Sequence, residues 1–374
     1  MAEEKKCDGL AAGVAAQLAR PNILSLLPYR CARDDYDSGV LLDANENSLG
    51  PAAVAQDNHL VLERYPSPYQ TPLKELYCKA KNVPDITPAN VFVGVGSDEA
   101  IDLLFRIFCV PAVDNVLITP PTYGMYKVCA AINDVEVVKC GLSPDFDLRV
   151  PETLEAITPK TKMVFICTPG NPTSKCIPLS DIEKIATSYK HGIVVVDEAY
   201  VDFCTQSSAA TLIGRYPNVV VLQTLSKAFG LAGIRCGFCV AAPDIIQLMN
   251  NVKAPYNVNS LTSEVAQKAL LPEGLTTFKA NVDKLLQQRN VVKEGLEKLD
   301  FVVQVFPSDS NFILFRVKDS AEQLYKTMAE NGVVSRFRGR ELHCSECIRV
   351  SIGTEEENVK FLQLLEKTWA DLHP

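Results

Sequence analysis

Seven short apolar runs recur between residues 90 and 241: NVFVGVG (90–96), NVLIT (115–119), VEVVK (135–139), KMVFICT (162–168), GIVVVD (192–197), NVVVLQT (218–224) and GFCVA (237–241). Segments of helical periodicity lie between them. In SDEAIDLLFRIF, Ala100, Ile101, Leu104, Phe105 and Phe108 fall on one stripe, which predicts a helix with Ser97 as its N-cap. SDIEKIATSYK opens with Ser180 and Glu183 in capping-box spacing. Uninterrupted β-branched strands alternating with helices predict an α/β fold, its mainly parallel seven-stranded sheet covered on both faces.

After residue 255 the texture changes. Long amphipathic stretches, TSEVAQKALL and TFKANVDKLLQQRNVVKEGLEKL, are followed by the shorter strands VVQVF, NFILFRV and CIRVSI. This pattern predicts a smaller α+β domain. We therefore expect a large domain over residues 46–254, and a small one formed by residues 1–45 and 255–374. The N-terminal arm should wrap onto the small domain.

At 374 residues two domains are the reasonable expectation. A net charge of −8 argues against a nucleic-acid coat or an anionic membrane surface as partner. No apolar run reaches the roughly 18 residues of a membrane span. The start, MAEEKKCDGLAAGVAAQLAR, lacks the basic opening and sustained apolar core of a secretory signal. Thirteen cysteines then read as reduced thiols, and the expected location is cytoplasmic. Cys236/Cys239 and Cys344/Cys347 have zinc-like spacing. However, CGFCVA reads as a strand whose alternate residues face opposite sides, so no metal is expected.

Ligands of open α/β sheets sit beyond the carboxyl ends of the strands. Strand 90–96 delivers Gly96, Ser97 and Asp98 to a helix N-terminus, which suits a phosphate. Strand 162–168 delivers Asn171 within PGNPTS, and strand 192–197 delivers Asp197, Glu198 and Tyr200. Strand 218–224 delivers Thr224, Ser226 and Lys227, with Arg235 eight residues further on. A nucleotide hydrolase would need a Gly-x-x-x-x-Gly-Lys-Ser/Thr loop, which the chain does not contain. GVGSDE also lacks the third glycine of a dinucleotide-binding turn.

Pyridoxal phosphate has one phosphate, one aldehyde and one basic ring nitrogen, and these residues answer each of them. Lys227 supplies the amine, and Asp197 a carboxylate for the ring nitrogen. Ser226, Arg235 and the helix start at Ser97 and Asp98 suit the phosphate, with Gly96 and Thr224 beside them. Asn171 and Tyr200 can donate to the ring's phenolate oxygen. Tyr123, in PPTYGMY, is the candidate ring to lie against the cofactor. Glu198, on the opposite strand face from Asp197, is expected to be structural.

PGNPTS, VVVDEAY and TLSKAFGLAGIRCGF, in that order, resemble the fold-type-I aminotransferases. More narrowly the chain resembles the histidinol-phosphate aminotransferase family, from LLPYRCAR and LLDANENSLGP through RYPSPYQTPLKELY and GVGSDEAIDLLFRIF to CIRVSIGT. That resemblance implies a homodimer that moves an amino group between histidinol phosphate and 2-oxoglutarate, giving imidazole acetol phosphate and glutamate. It implies Lys227 as the Schiff-base lysine and proton shuttle, and Tyr65 as a contact to the cofactor phosphate of the neighbouring subunit. It further implies Arg349 as the carboxylate-gripping arginine, and Arg336 and Tyr29 as receivers of the substrate phosphate.

Ser174 stands where the family commonly has glycine, which leaves the cofactor expectation intact. Substrate choice stays open, because transaminases for aromatic or bulky amino acids and a phosphothreonine-type decarboxylase share the scaffold. A non-catalytic relative used for binding or regulation is a third reading. The intact set of Lys227, Asp197 and Arg235 weighs against it.

Overall fold

The computed structural model describes residues 13–26 and 62–373. Strands β1 (Val91–Val95), β2 (Asn115–Ile118), β3 (Glu136–Lys139), β4 (Thr161–Cys167), β5 (Ile193–Asp197), β6 (Val219–Thr224) and β7 (Cys236–Val240) form one sheet in the order β1-β7-β6-β5-β4-β2-β3. The strands β3, β2, β4, β5 and β6 are mutually parallel, and β7 runs antiparallel between β6 and β1.

Alternate residues of the central strands feed two separate cores. Val164, Ile166, Val194, Val196, Val219 and Val221 pack on one face. Met163, Phe165, Ile193, Val195, Val220 and Leu222 pack on the other. This two-sided burial explains why the strands read as unbroken aliphatic runs. It also separates Cys236 from Cys239, which belong to opposite cores.

A second sheet, β10-β11-β9-β8, is wholly antiparallel. Its strands are β8 (Val302–Val305), β9 (Phe312–Val317), β10 (Arg336–Phe337) and β11 (Cys347–Ser351). The helices Pro272–Glu297 and Glu355–Leu372 cover it through Val292, Leu296, Phe361 and Leu365.

Packing corrects two parts of the expected domain division. In the N-terminal segment, Ala15, Ala19 and Ile23 join the core of the large sheet, not that of the second sheet. The Ala15 N–H donates to Asp244 Oδ2 at 2.9 Å, anchoring this segment to the helix Pro243–Val252. The helix Ser260–Leu270 likewise packs Ala266 and Leu270 against the large sheet, although it lies beyond residue 254. Apolar spacing announces that a helix has a buried face without saying which core receives it.

Both expected helix caps are also corrected. The helix Gly96–Phe108 has Val95, not Ser97, as its N-cap and so starts two residues earlier, and Glu99 reaches back to accept from the Val95 N–H at 2.6 Å. The helix Leu179–Ser188 begins after Pro178, so Ser180 lies inside it and makes no cap bond. Glu183 instead accepts from Tyr216 Oη at 2.8 Å. Tertiary partners outbid the local motif.

Candidate active site

A cavity of about 990 Å³ opens at the carboxyl end of the large sheet and reaches to the second sheet. Asp197 ends β5 at its floor, only 3% exposed. Its Oδ2 accepts from Tyr126 Oη at 2.6 Å, and its Oδ1 accepts from the Ala199 N–H at 3.2 Å. Burial raises its pKa against the opposing pull of the Tyr126 hydrogen bond. Glu198, one residue on, emerges on the other face. It is held there by the Ala209 N–H at 2.6 Å, Ser208 Oγ at 2.5 Å and Gln223 Nε2 at 2.9 Å.

Lys227 follows β6, with Nζ 5.6 Å from the centre of the Tyr200 ring. Its pKa is lowered, first by burial and then by the positive charge of Arg349. A depressed lysine has more of its amine neutral at ordinary pH, which nucleophilic and general-base work both require.

The anion-binding end is built around the start of the helix Gly96–Phe108. Arg235 presents Nη2 to Asp98 Oδ2 at 3.4 Å and Nη1 to Ser226 Oγ at 3.5 Å. The Thr224 hydroxyl lies 2.9 Å from Ser226 Oγ and accepts from the Ser226 N–H at 3.1 Å, so it shapes this turn. Asp98 Oδ1 also accepts from Tyr123 Oη at 3.1 Å. The Asp98 carboxylate is thereby engaged, and orients Tyr123 and Arg235.

Gly96, expected among the cofactor-binding residues, is not in the cavity lining, and its N–H donates to the Arg235 carbonyl at 3.0 Å. What it provides is space: at φ +72° it adopts a left-handed conformation, and an added Cβ would sit 2.7 Å from Arg235 Nη2. A Cβ on Gly237 would likewise meet Ser97 N at 2.4 Å, so two glycines bring β7, the helix start and the guanidinium together.

The opposite wall comes from the second sheet. Arg336 on β10 is paired in register with Arg349 on β11. Arg338, Arg340 and Glu341 lie on the loop between these strands, and all five line the cavity. The Arg349 guanidinium donates to Asn171 Oδ1 at 2.5 Å and lies 5.0 Å from the Phe312 ring centre. Burial and the nearby charge of Arg338 lower its pKa. Arg338 pairs with Glu341 at 2.9 Å. The buried Nε atoms of Arg338 and Arg349 have no hydrogen-bond partner among the described residues. Buried donors left over in a cavity point to an anionic ligand.

Of the residues expected from sequence, the cavity gathers Ser97, Asp98, Tyr123, Asn171, Asp197, Tyr200, Thr224, Ser226, Lys227, Arg235, Arg336 and Arg349. Tyr65 is not among its lining residues; it is 53% exposed and stacks on Tyr256 with ring centres 4.6 Å apart. Tyr29 lies outside the described residues. Tyr126, Lys127, Lys139 and Glu341 were missed. Tyr126 carried no local signal, since Tyr123 precedes the helix Met125–Ile132 and the partner of Tyr126, Asp197, lies 71 residues away.

Residues 37–365 match the family model described as aminotransferase class I and II. The chain belongs to the class I and II aminotransferases. This aminotransferase is 45% identical to the histidinol-phosphate aminotransferase of Candida maltosa, with 95% of this chain and 98% of that one covered. It is 43% identical to the protein of that name from Bacteroides fragilis, covering 94% and 98%. A solved histidinol-phosphate aminotransferase from Sinorhizobium meliloti, in complex with pyridoxal-5'-phosphate, shares its fold at a TM-score of 0.77 and 22% identity, covering 88% and 90%. An aspartate aminotransferase variant from Thermus thermophilus shares the same architecture at a TM-score of 0.72 and 20% identity, covering 82% and 88%.

Proposed function

We propose that this aminotransferase exchanges the amino group of L-histidinol phosphate with 2-oxoglutarate, yielding imidazole acetol phosphate and L-glutamate in histidine biosynthesis. The observation that carries this reading is end-to-end identity of 42–45% to aminotransferases named for histidinol phosphate. The arginine-rich cavity wall supports it.

The cofactor is pyridoxal phosphate, and the residues present fit it. A buried carboxylate with no ion-pair partner among the described residues, Asp197, suits a protonated ring nitrogen. The Gly96 gap filled by Arg235, together with Ser97 and Ser226, suits a phosphate. When bound, the cofactor supplies an aldehyde for the amine and a ring that withdraws electrons from the substrate carbon.

The side chains divide the remaining work. Lys227 would tether the cofactor through its amine and would move the proton at the substrate Cα. Asp197 keeps the ring nitrogen protonated. Asn171 turns its Oδ1 to Arg349, which leaves its Nδ2 as the donor toward the phenolate oxygen, with Tyr200 as the second donor. Tyr123, which lines the cavity, would be the residue to pack on the ring. Arg349 grips the glutamate carboxylate, and Arg336 with Tyr29 receives the phosphate ester. Guanidinium forks bind either anion, so one wall serves both half-reactions.

The enzyme works as a homodimer in which Tyr65 reaches the partner's cofactor phosphate. An exposed apolar face supports this: Leu261, Val265, Leu271, Tyr65 and Tyr69 all lie open. A cytoplasmic setting suits the unpaired thiols of the described cysteines. No helix among the described residues is long and apolar enough to cross a membrane. The deciding experiment compares turnover of histidinol phosphate with that of phenylalanine and tyrosine, using 2-oxoglutarate as acceptor. Preference for an aromatic amino acid would overturn the substrate assignment.

A further inference from the structure

Asp197 is a buried carboxylate at the floor of the cavity, and burial favours its protonated form. Something must keep it charged and aimed if it is to hold a proton on a ring nitrogen. One phenol meets that need. Tyr126, on the helix Met125–Ile132, is fully buried and donates to Asp197 Oδ2 at 2.6 Å. Its ring is clamped by stacking on Phe165, centres 4.7 Å apart, and meets Tyr123 edge-on at 5.7 Å.

We propose that Tyr126 is the positioning residue of the cofactor site: its hydrogen bond fixes the Asp197 carboxylate and holds it ionised for the ring nitrogen. The proposal rests on the role given to Asp197 above. A charge-assisted bond of this length favours the ionised acid over the protonated one. The Ala199 N–H adds a weaker bond at 3.2 Å to the other oxygen, so Tyr126 is the shorter of two restraints. Among the other groups facing Asp197, Lys227 favours its charge, whereas Asp98 opposes it. Cys167, Tyr123 and Tyr200 also face it, and all three are neutral because their pKa values are raised. Tyr126 itself is held well above the usual phenol range by burial and by Asp197, so it stays protonated and remains a donor.

The test uses Tyr126→Phe, which removes one oxygen and keeps the ring. Cofactor affinity of the apo-protein is titrated by fluorescence quenching across the acid range, with thermal stability followed in parallel. We expect affinity near neutrality to fall about ten- to a hundred-fold, as for loss of a hydrogen bond to a charged group. The acid limb of the affinity profile should move to higher pH, because an unsupported Asp197 protonates sooner. Phe165→Leu is the control, since it loosens the same packing but leaves the hydroxyl. It should lower the melting temperature without moving the limb. In an Asp197→Asn background, Tyr126→Phe should have almost no further effect on affinity. An unmoved acid limb in Tyr126→Phe, or an equal movement in Phe165→Leu, would overturn the proposal. Failure of the unaltered protein to bind pyridoxal phosphate at all would instead strike the cofactor reading itself.

Discussion

The amide oxygen of Asn171 lies 2.5 Å from Nη1 of Arg349, joining the loop after β4 to strand β11 across the cavity. One amide thus serves both walls: its oxygen anchors the arginine, and its nitrogen is left facing the other way. Replacing Arg349 by lysine keeps the charge but loses the fork and the bond to Asn171. The KM for glutamate should rise roughly ten- to a hundred-fold, with cofactor affinity little changed. Steady-state kinetics in the glutamate half-reaction and a cofactor titration check this. A fall in cofactor affinity as large as the rise in KM would show that the arginine serves the ring rather than the substrate.

Arg349 also acts on Lys227 from a distance. After burial, its charge is the largest cause depressing the Lys227 pKa. A depressed lysine binds fewer protons folded than unfolded, so its contribution to stability grows as pH rises from the folded pKa toward 10.5. Only the neutral amine attacks an aldehyde. The rate at which apo-protein takes up pyridoxal phosphate should therefore rise with pH through the Lys227 pKa. Arg349→Gln removes the depressing charge, raises that pKa and shifts the midpoint of the rate profile upward. Stopped-flow absorbance from about pH 6 to 10 reads the midpoint. An unmoved midpoint would mean that burial and the other neighbouring charges set the lysine without Arg349.

Asp197 and Glu198 make a paired test of adjacent carboxylates on opposite strand faces. Glu198→Ala strands three donors in the core, and should cost about 2–4 kcal/mol of stability. The turnover of the folded fraction should stay near normal. Asp197→Ala should do the reverse, with folding retained and activity lost. Denaturant melts and kinetics on each variant separate the two. Equal kinetic damage from both would contradict the division of faces.

How legible was this in the sequence? The strand-end residues were, because period-two alternation decides which of two neighbours meets which face, and it does so for Asp197 and Glu198 alike. The helix packing of Ala15, Ala19 and Ala266 was not, since a buried face carries no address. Tyr126 escaped for a different reason. Its role comes from Asp197, 71 residues away, which only the fold brings within reach. Ser174 shows how a local departure gains meaning in three dimensions. At φ 61° it occupies the left-handed position that favours glycine, and its hydroxyl lies 2.7 Å from Ser308 Oγ and 3.1 Å from the Phe312 carbonyl. Its hydroxyl ties the PGNPTS loop to β9 through bonds a glycine could not make.

Arg336 decides substrate choice in this reading. It lies in register with Arg349, yet it is exposed at the rim, where a phosphate ester would end. Arg336→Ala should reduce kcat/KM for histidinol phosphate about ten- to a hundred-fold. The value for phenylalanine, which has no phosphate, should change far less. Parallel assays of the two donors provide the ratio. Losses of the same size would transfer the assignment to an aromatic transaminase.

Tyr65 bears on assembly. It is absent from its own chain's cavity, exposed, and stacked on Tyr256 beside the open face of the helix Ser260–Leu270. If it completes the neighbour's phosphate site, damage to Tyr65 and damage to Lys227 fall in different sites of a mixed dimer. Tyr65→Ala and Lys227→Ala should each be inactive alone, the latter by about a hundred- to ten-thousand-fold for loss of its base. In a hybrid, one site receives both lesions and the other receives neither. Mixing the two variants under conditions that exchange subunits should restore up to about a quarter of normal activity. Random pairing makes half the dimers hybrid, and each hybrid has one intact site of two. Subunit exchange is verified independently by mass spectrometry of tagged chains. Exchange without recovery would place Tyr65 outside the shared site and leave each cavity to its own chain.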